Sequence, residues 1–245
     1  MSVELVPLLA ICICVVAILY ASVGHGGASG YLAVMALFSL SPAALKPTAL
    51  VLNIVVAGVG TWLYCTAKQF SWRAFWPFAV TSIPASYLGG CFSLPPHLYR
   101  PFLGVVLLFA AWRLFVRTEW RAGEIRVPRL PVAMAVGAVL GFASGLIGVG
   151  GGIFLSPLMV LLGWARVREV SGIAALFILV NSIAGLLGHL SSLQQVPDYV
   201  PLLAVMALAG GTLGALGGSR HLPVPAILKA MAMVLVIAGG KRILV

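Results

Sequence analysis

Apolar runs of ten to twenty-odd residues follow one another from one end of this 245-residue chain to the other. A helix of about twenty such residues spans the roughly 30 Å hydrocarbon core of a bilayer. Burial in a water-soluble core fails on composition. The chain is 62% hydrophobic and 8% charged, whereas soluble domains hold about 45–50% apolar and about 25% charged residues. An all-α polytopic membrane protein is expected.

Breaks between the runs give ten segments, at roughly 5–21, 28–40, 43–66, 72–93, 97–117, 131–146, 153–163, 168–190, 199–219 and 223–240. The longest polar gap, RTEWRAGEIRVPRLP at 117–131, is rich in arginine and falls near the middle of the chain. It divides a single transmembrane domain (1–245) into a first repeat (1–117), a basic linker (118–130) and a second repeat (131–245). The halves resemble each other: GHGGASGYL from Gly24 matches GVGGGIFLS from Gly148, and ALVLNIVVAG from Ala49 matches ALFILVNSIAG from Ala175. The expected architecture is two five-helix repeats, with helices 2 and 7 short and broken.

The formal charge of +10 does not point to nucleic acid, because no basic face with interleaved aromatics forms. The Lys and Arg residues lie in the gaps, where they set topology. With ten crossings and both termini outside, eleven of the fifteen basic residues lie inside, among them Lys68, Arg73, Arg166, Arg168, Arg220 and Lys229. Lys46, Arg100, Lys241 and Arg242 remain outside. Treating the two short runs as re-entrant lowers the split to nine against six. Five crossings per repeat make the repeats inverted, an arrangement of transporters whose site lies near the midplane.

Other features narrow the class. Glu4 and the absence of basic residues before the first run argue for a retained first helix rather than a cleaved signal peptide. Cys12, Cys14, Cys65 and Cys91 have neither metal-ligand nor disulfide spacing and read as packing residues. Trp62, Trp72, Trp76, Trp112, Trp120 and Trp164 lie near segment ends, as interfacial anchors do. No acidic residue falls in the middle of a span, which weakens cation transport.

The two short runs carry the chemistry. Residues 28–40 make roughly 20 Å of helix, short of the bilayer core, so the helix start lies inside the membrane. Backbone that is not helical survives at that depth only when buried in protein or lining a wet cavity. The first amides of a helix have no partner within it and carry about half a positive charge, so an anion fits there. Inverted repeats aim the two positive ends at each other, which forms an anion site without a buried Lys or Arg. Close helix packing through small residues is the competing explanation for the glycines.

Gly24, Gly26 and Gly27 in the first break, and Gly150, Gly151 and Gly152 in the second, are the expected substrate-binding backbone. His25 contacts an oxyanion or carries a proton, or else bonds only to nearby backbone. Ser29 and Ser156, in the first turns, cap amides or bind a ligand oxygen. Asn53 and Asn181, in the long segments that follow, either bridge helices or bind the ligand. Ser22, Lys46, Thr48, Ser144 and Ser171 are secondary candidates. Ser22 and Ser144 end the helices before the breaks, and Thr48 and Ser171 start those after them. Lys46 attracts anions to the outer mouth or marks the interface. Pro47 suggests an extended turn before a helix start. His189 and His221 are assigned no role.

GVGGGIFLSPLMVLLG, GHGGASGYLAVMALF, ALFILVNSIAG and ALVLNIVVAG together resemble the TauE/SafE sulfite exporters, also called toluene sulfonate uptake permeases, over nearly the whole chain. The resemblance implies export of sulfite, sulfoacetate or other organosulfonates across a bacterial inner membrane. The first half departs from a plain glycine triplet, and it has Ala33 where the second has Pro157, so substrate choice can differ.

The leading expectation is a secondary transporter of small sulfur-containing anions, not an enzyme and without a cofactor or metal. H⁺ or Na⁺ is the expected coupling ion where there is one. A passive anion channel with the same filter is the alternative, and a membrane enzyme using Cys65 or Cys91 is a remote third. The partners are a small anion, the lipid bilayer and, in a homodimer, a second copy of the chain.

Overall fold

The computed structural model describes residues 3–22, 25–92, 94–115, 128–165, 167–190, 196–218 and 236. Among them it is all-helical, with no strand. A single 3₁₀ turn at Val3–Leu5 leads into α1 (Val6–Ala21), followed by α2 (Ala28–Leu37), α3 (Pro42–Thr66), α4 (Trp72–Cys91) and α5 (Pro96–Phe115). The second half holds α6 (Leu130–Ile147), α7 (Gly152–Leu161), α8 (Val167–Gly188) and α9 (Val200–Gly218). Each matches an expected segment within about three residues at either end. The tenth segment (223–240, apart from Val236), most of the linker, and Arg166, Arg220, Lys229, Lys241, Arg242, Trp120 and His221 lie outside the described residues.

Local chemistry explains the boundaries. Ser41 caps α3, its hydroxyl accepting from the Ala44 amide at 3.3 Å, with Pro42 as the first helical residue where a missing N–H costs nothing. Pro47 therefore lies inside α3 and does not start the helix as expected. Short helices α2 and α7 are ten residues each, roughly 15 Å. Among the described residues three helices are both long and apolar enough to cross a bilayer alone: Ala43–Thr66, Leu130–Ile147 and Glu169–Gly188. Large apolar side chains such as Val80, Val105, Val139, Val205 and Leu213 are exposed on the outer surface. That outward-facing apolar surface suits lipid.

Lipid does not drive helices together as water does, so close packing must. Helix α6 packs on α4 more extensively than any other pair does. Gly137, Gly141 and Gly145 recur every four residues along one stripe of α6, and a side-chain carbon on each would collide with the backbone carbonyls of Phe78, Ser82 and Ser86 on α4. The α1–α9 pair is next. Gly210 and Gly214 press there against the carbonyls of Cys14 and Ile18. At the centre α3 packs on α8. Each half thus lends a helix to the other: α1 is held by α9 and α6 by α4. Trp62, Trp72 and Trp112 are exposed near helix ends, but Trp164 turns inward against Phe78, with ring centroids 5.6 Å apart.

Gly145→Ala forces the α4–α6 backbones apart. It is expected to cost about 1–3 kcal/mol, the usual range for overpacking. Thermal unfolding of the detergent-purified variant measures this, and Gly58→Ala, where a side chain meets open space, serves as the control.

Candidate functional site: the paired glycine breaks

Helix α2 starts at Gly27, whose φ of +92° is a conformation that L side chains rarely adopt. The first helical bond runs from the Tyr31 amide to the Gly27 carbonyl at 2.9 Å, so the amides of residues 28–30 have no acceptor within the helix. The second break is built alike. Gly150 and Gly151 have φ of +78° and +76°, and the Phe154 and Leu155 amides both donate to the Gly151 carbonyl at 3.1 Å. Gly26, Gly27 and Gly150–Gly152 are all buried. Gly24 lies outside the described residues.

The two breaks meet. One small cavity is lined by His25, Gly27 and Ser29 of the first half and by Val149, Ile153 and Ile178 of the second. It offers about 10 Å³, room for one water molecule. A second cavity of the same size shares His25 and Gly26 and runs between α3 and α8 to Tyr64. Ser171, on α8, lies within hydrogen-bonding reach of Tyr64.

Asn53, on α3, sits where the breaks come together. A side-chain carbon on Gly150 would lie 3.0 Å from its Nδ2, and one on Gly26 would lie 3.3 Å from its Oδ1. Its Nδ2 donates to the Ser182 hydroxyl on α8 at 3.4 Å, joining the two halves. The Oδ1 is buried without a partner. Asn181 also has a buried Oδ1 without a partner, but its Nδ2 donates to the Phe177 carbonyl of its own helix at 2.8 Å. Counted from the start of each short helix it lies one turn further along than Asn53, so the two asparagines are not equivalent.

The remaining residues separate. The Ser29 hydroxyl is paired with the Tyr20 hydroxyl at 2.9 Å. Ser156 belongs to the second turn of α7 and donates back to the Gly152 carbonyl at 2.8 Å, so it caps no amide. Ser22 donates to the Leu19 carbonyl at 2.7 Å. The Ser144 hydroxyl is buried without a partner, and its Cβ lies 3.4 Å from where a side chain on Gly151 would begin. Thr48 is fully buried in the second turn of α3, also unpartnered, and does not start the helix. Tyr31, overlooked in the sequence although it ends GHGGASGY, has an unpartnered buried hydroxyl against Gly27. Ser182 and Ile178 were overlooked as well. Adjacency of Ser182 to Asn181 was the available signal for the first, and an isoleucine in an apolar run gives none. Unpaired buried polar groups each cost about 1–3 kcal/mol. Three of them, on Tyr31, Asn53 and Ser144, belong to side chains that lie against glycines of the two breaks.

Lys46 corrects an expectation. It is 4% exposed within α3 and not at an outer mouth. Its Nζ donates to the Gly90 and Phe92 carbonyls, both at 3.1 Å, at the negative end of α4. His189, just past α8, donates from Nδ1 to the same Gly90 carbonyl at 3.2 Å. Burial, and then the Lys46 charge, hold its pKa below the ordinary histidine value, against the opposing effect of the Gly90 carbonyl. Lys46 also packs on Gly148, its Cγ 3.1 Å from where a side chain there would begin. A buried cation therefore does exist, as a clamp between α3, α4 and the second break.

The sulfite exporter TauE/SafE family model matches residues 9–242. The chain belongs to that family. A relative from Sinorhizobium fredii described as "probable membrane transporter protein y4hK" is 40% identical over 95% of this chain and 96% of its own length. Two Bacillus subtilis proteins with the same description, YjnA and YunE, are 28% and 24% identical. They cover 90% and 83% of this chain, and 92% and 82% of their own lengths. No solved structure matches the chain significantly. Family and apolar helices together make this a membrane-embedded protein.

Lys46→Met strands two carbonyls. It is expected to cost about 1.5–3 kcal/mol, the value of hydrogen bonds to a charged group, read by thermal unfolding at pH 7. A histidine with a depressed folded pKa binds fewer protons folded than unfolded, so stability falls as pH drops below about 6.5. The wild type should lose stability over that window, and His189→Gln should lose less.

Proposed function

We propose that this TauE/SafE family member is a secondary transporter that exports small sulfur-containing anions, such as sulfite, sulfoacetate and other organosulfonates, by alternating access. The observation that carries the reading is the meeting of the two short-helix starts at one cavity beside Asn53. Positive helix ends, unpartnered hydroxyls and an amide suit an oxyanion at that place. A cavity with room for one water fits a carrier in a closed state better than an open channel.

The membrane arrangement is part of the proposal. Ten crossings as two inverted repeats, 1–117 and 131–245 joined by the basic linker, account for the exchanged packing. Substituting each helix of one half by its counterpart turns the α1–α9 pair into α6–α4 and the α3–α9 pair into α8–α4, all of which are seen. The setting is a bacterial inner membrane with both termini outside. Alternation moves one repeat against the other around the site. H⁺ at His25, or Na⁺ on the unwound backbone carbonyls beside the breaks, couples the transport.

Proteoliposomes holding the purified protein should take up labelled sulfite saturably and exchange it one for one. Asn53→Ala should lower the flux about tenfold or more, the value of one hydrogen bond to a charged group. His25→Ala should flatten its pH dependence. No flux of any sulfur oxyanion under a proton or sodium gradient refutes the reading. Non-saturating conductance replaces the carrier with a channel.

A further inference from the structure

Ile178, on α8, is 3% exposed and touches both breaks at once. Side-chain carbons built on Gly26 and Gly150 would fall 2.9 and 2.8 Å from its Cγ2. One on Gly152 would collide with its Cδ1 and Cγ1. Three glycines from two halves of the chain thus close around a single apolar side chain. The same side chain forms one wall of the cavity that both short helices share. We infer that Ile178 is the specificity-determining residue of the site, a plug whose bulk sets the largest anion that can lie between the two helix starts.

The chemistry of the side chain supports this role. An isoleucine offers an anion no donor, so it is not a ligand. It holds methyl groups in space flanked by the amides of the short helices and by Asn53 and Ser182. Being β-branched on a helix, it has one strongly preferred χ1 rotamer and does not swing aside freely as leucine or methionine would. Space for a larger guest has to come from movement of α8 itself or from a smaller residue at 178. A compact pyramidal or tetrahedral head group needs the least room. Each carbon added behind a sulfonate has to displace the methyls of Ile178. One methylene against a fixed apolar wall typically discriminates about 10- to 200-fold, and the same ladder is expected here. The plug also keeps the joined breaks nearly dry, which strengthens each amide–anion contact.

This inference rests on the anion-site reading, and its test separates the two. Methane-, ethane- and propanesulfonate are compared with sulfite as thermal stabilisers of the purified protein, which needs no transport, and as competitors of labelled sulfite uptake. The wild type should respond to sulfite and methanesulfonate and lose about tenfold or more in apparent affinity for each further carbon. Ile178→Ala should flatten that series, and Ile178→Val should fall between. Ile178→Val conserves the fold, so it decides the matter alone if Ile178→Ala is not monodisperse. A length series with the same slope in wild type and variants overturns the role of Ile178 and leaves the anion site standing. A wild type that takes every length equally also overturns it. Selective stabilisation by short sulfonates without any flux upholds Ile178 and removes only the carrier reading. No stabilisation by any anion in any variant overturns both.

Discussion

A backbone amide at the middle of a bilayer has no water to turn to, so whatever breaks a helix there must be satisfied by the protein or by its ligand. This chain breaks two helices in its buried interior and brings the breaks together. Gly27 and Gly150 take left-handed backbone angles, and both breaks lie against Asn53 and Ile178. The remaining features follow from that demand. Helices α3 and α8 form the central pair because they carry the side chains that fill the junction. Longer helices around them shield it from lipid.

Holding two helix starts tip to tip requires a frame that does not slide. The frame is made by backbone contact more than by large side chains. The glycine stripe of α6 lies on α4, and Gly210 and Gly214 of α9 lie on α1, so close van der Waals contact replaces the hydrophobic effect as the cohesive force. At one end Lys46 ties α3 to the last carbonyls of α4, and His189 shares one of them. Tyr99 of α5 adds a bond to the Ile147 carbonyl at 3.1 Å, just before the second break. The Lys46 bonds stay within the first half, whereas the His189 and Tyr99 bonds and both glycine contacts cross between halves. A movement of one half against the other would have to slide along glycine stripes or release polar clamps.

Much of this was legible in the sequence because membrane helices write themselves plainly. Apolar length sets their existence, and Gly, Pro and Ser mark their ends, so the nine described helices fall where the runs placed them. The paired breaks were legible for the same reason. Lys46 was misread because its neighbour Pro47 suggested a turn, while Ser41 and Pro42 had already supplied a better start four residues earlier. The asparagines looked like a matched pair by motif. The one-turn offset between them shows only when both are counted from the short helices, and packing then leaves Asn53 at the junction and Asn181 bonded to its own helix. Ile178 carries no signal at all: its meaning lies in what surrounds it, and a long apolar run conceals which isoleucine faces the site.

The central claim is that the two short-helix starts together hold one anion. The most direct measurement is a density map of the protein in lipid nanodiscs with selenite, a heavy stand-in for sulfite. The account predicts a single strong peak between Gly27–Ser29 and Gly150–Gly152, within hydrogen-bonding distance of amides from both halves and of Asn53. Selenite found only on the arginine-rich surface, or bound to one break with the other turned away, would contradict it.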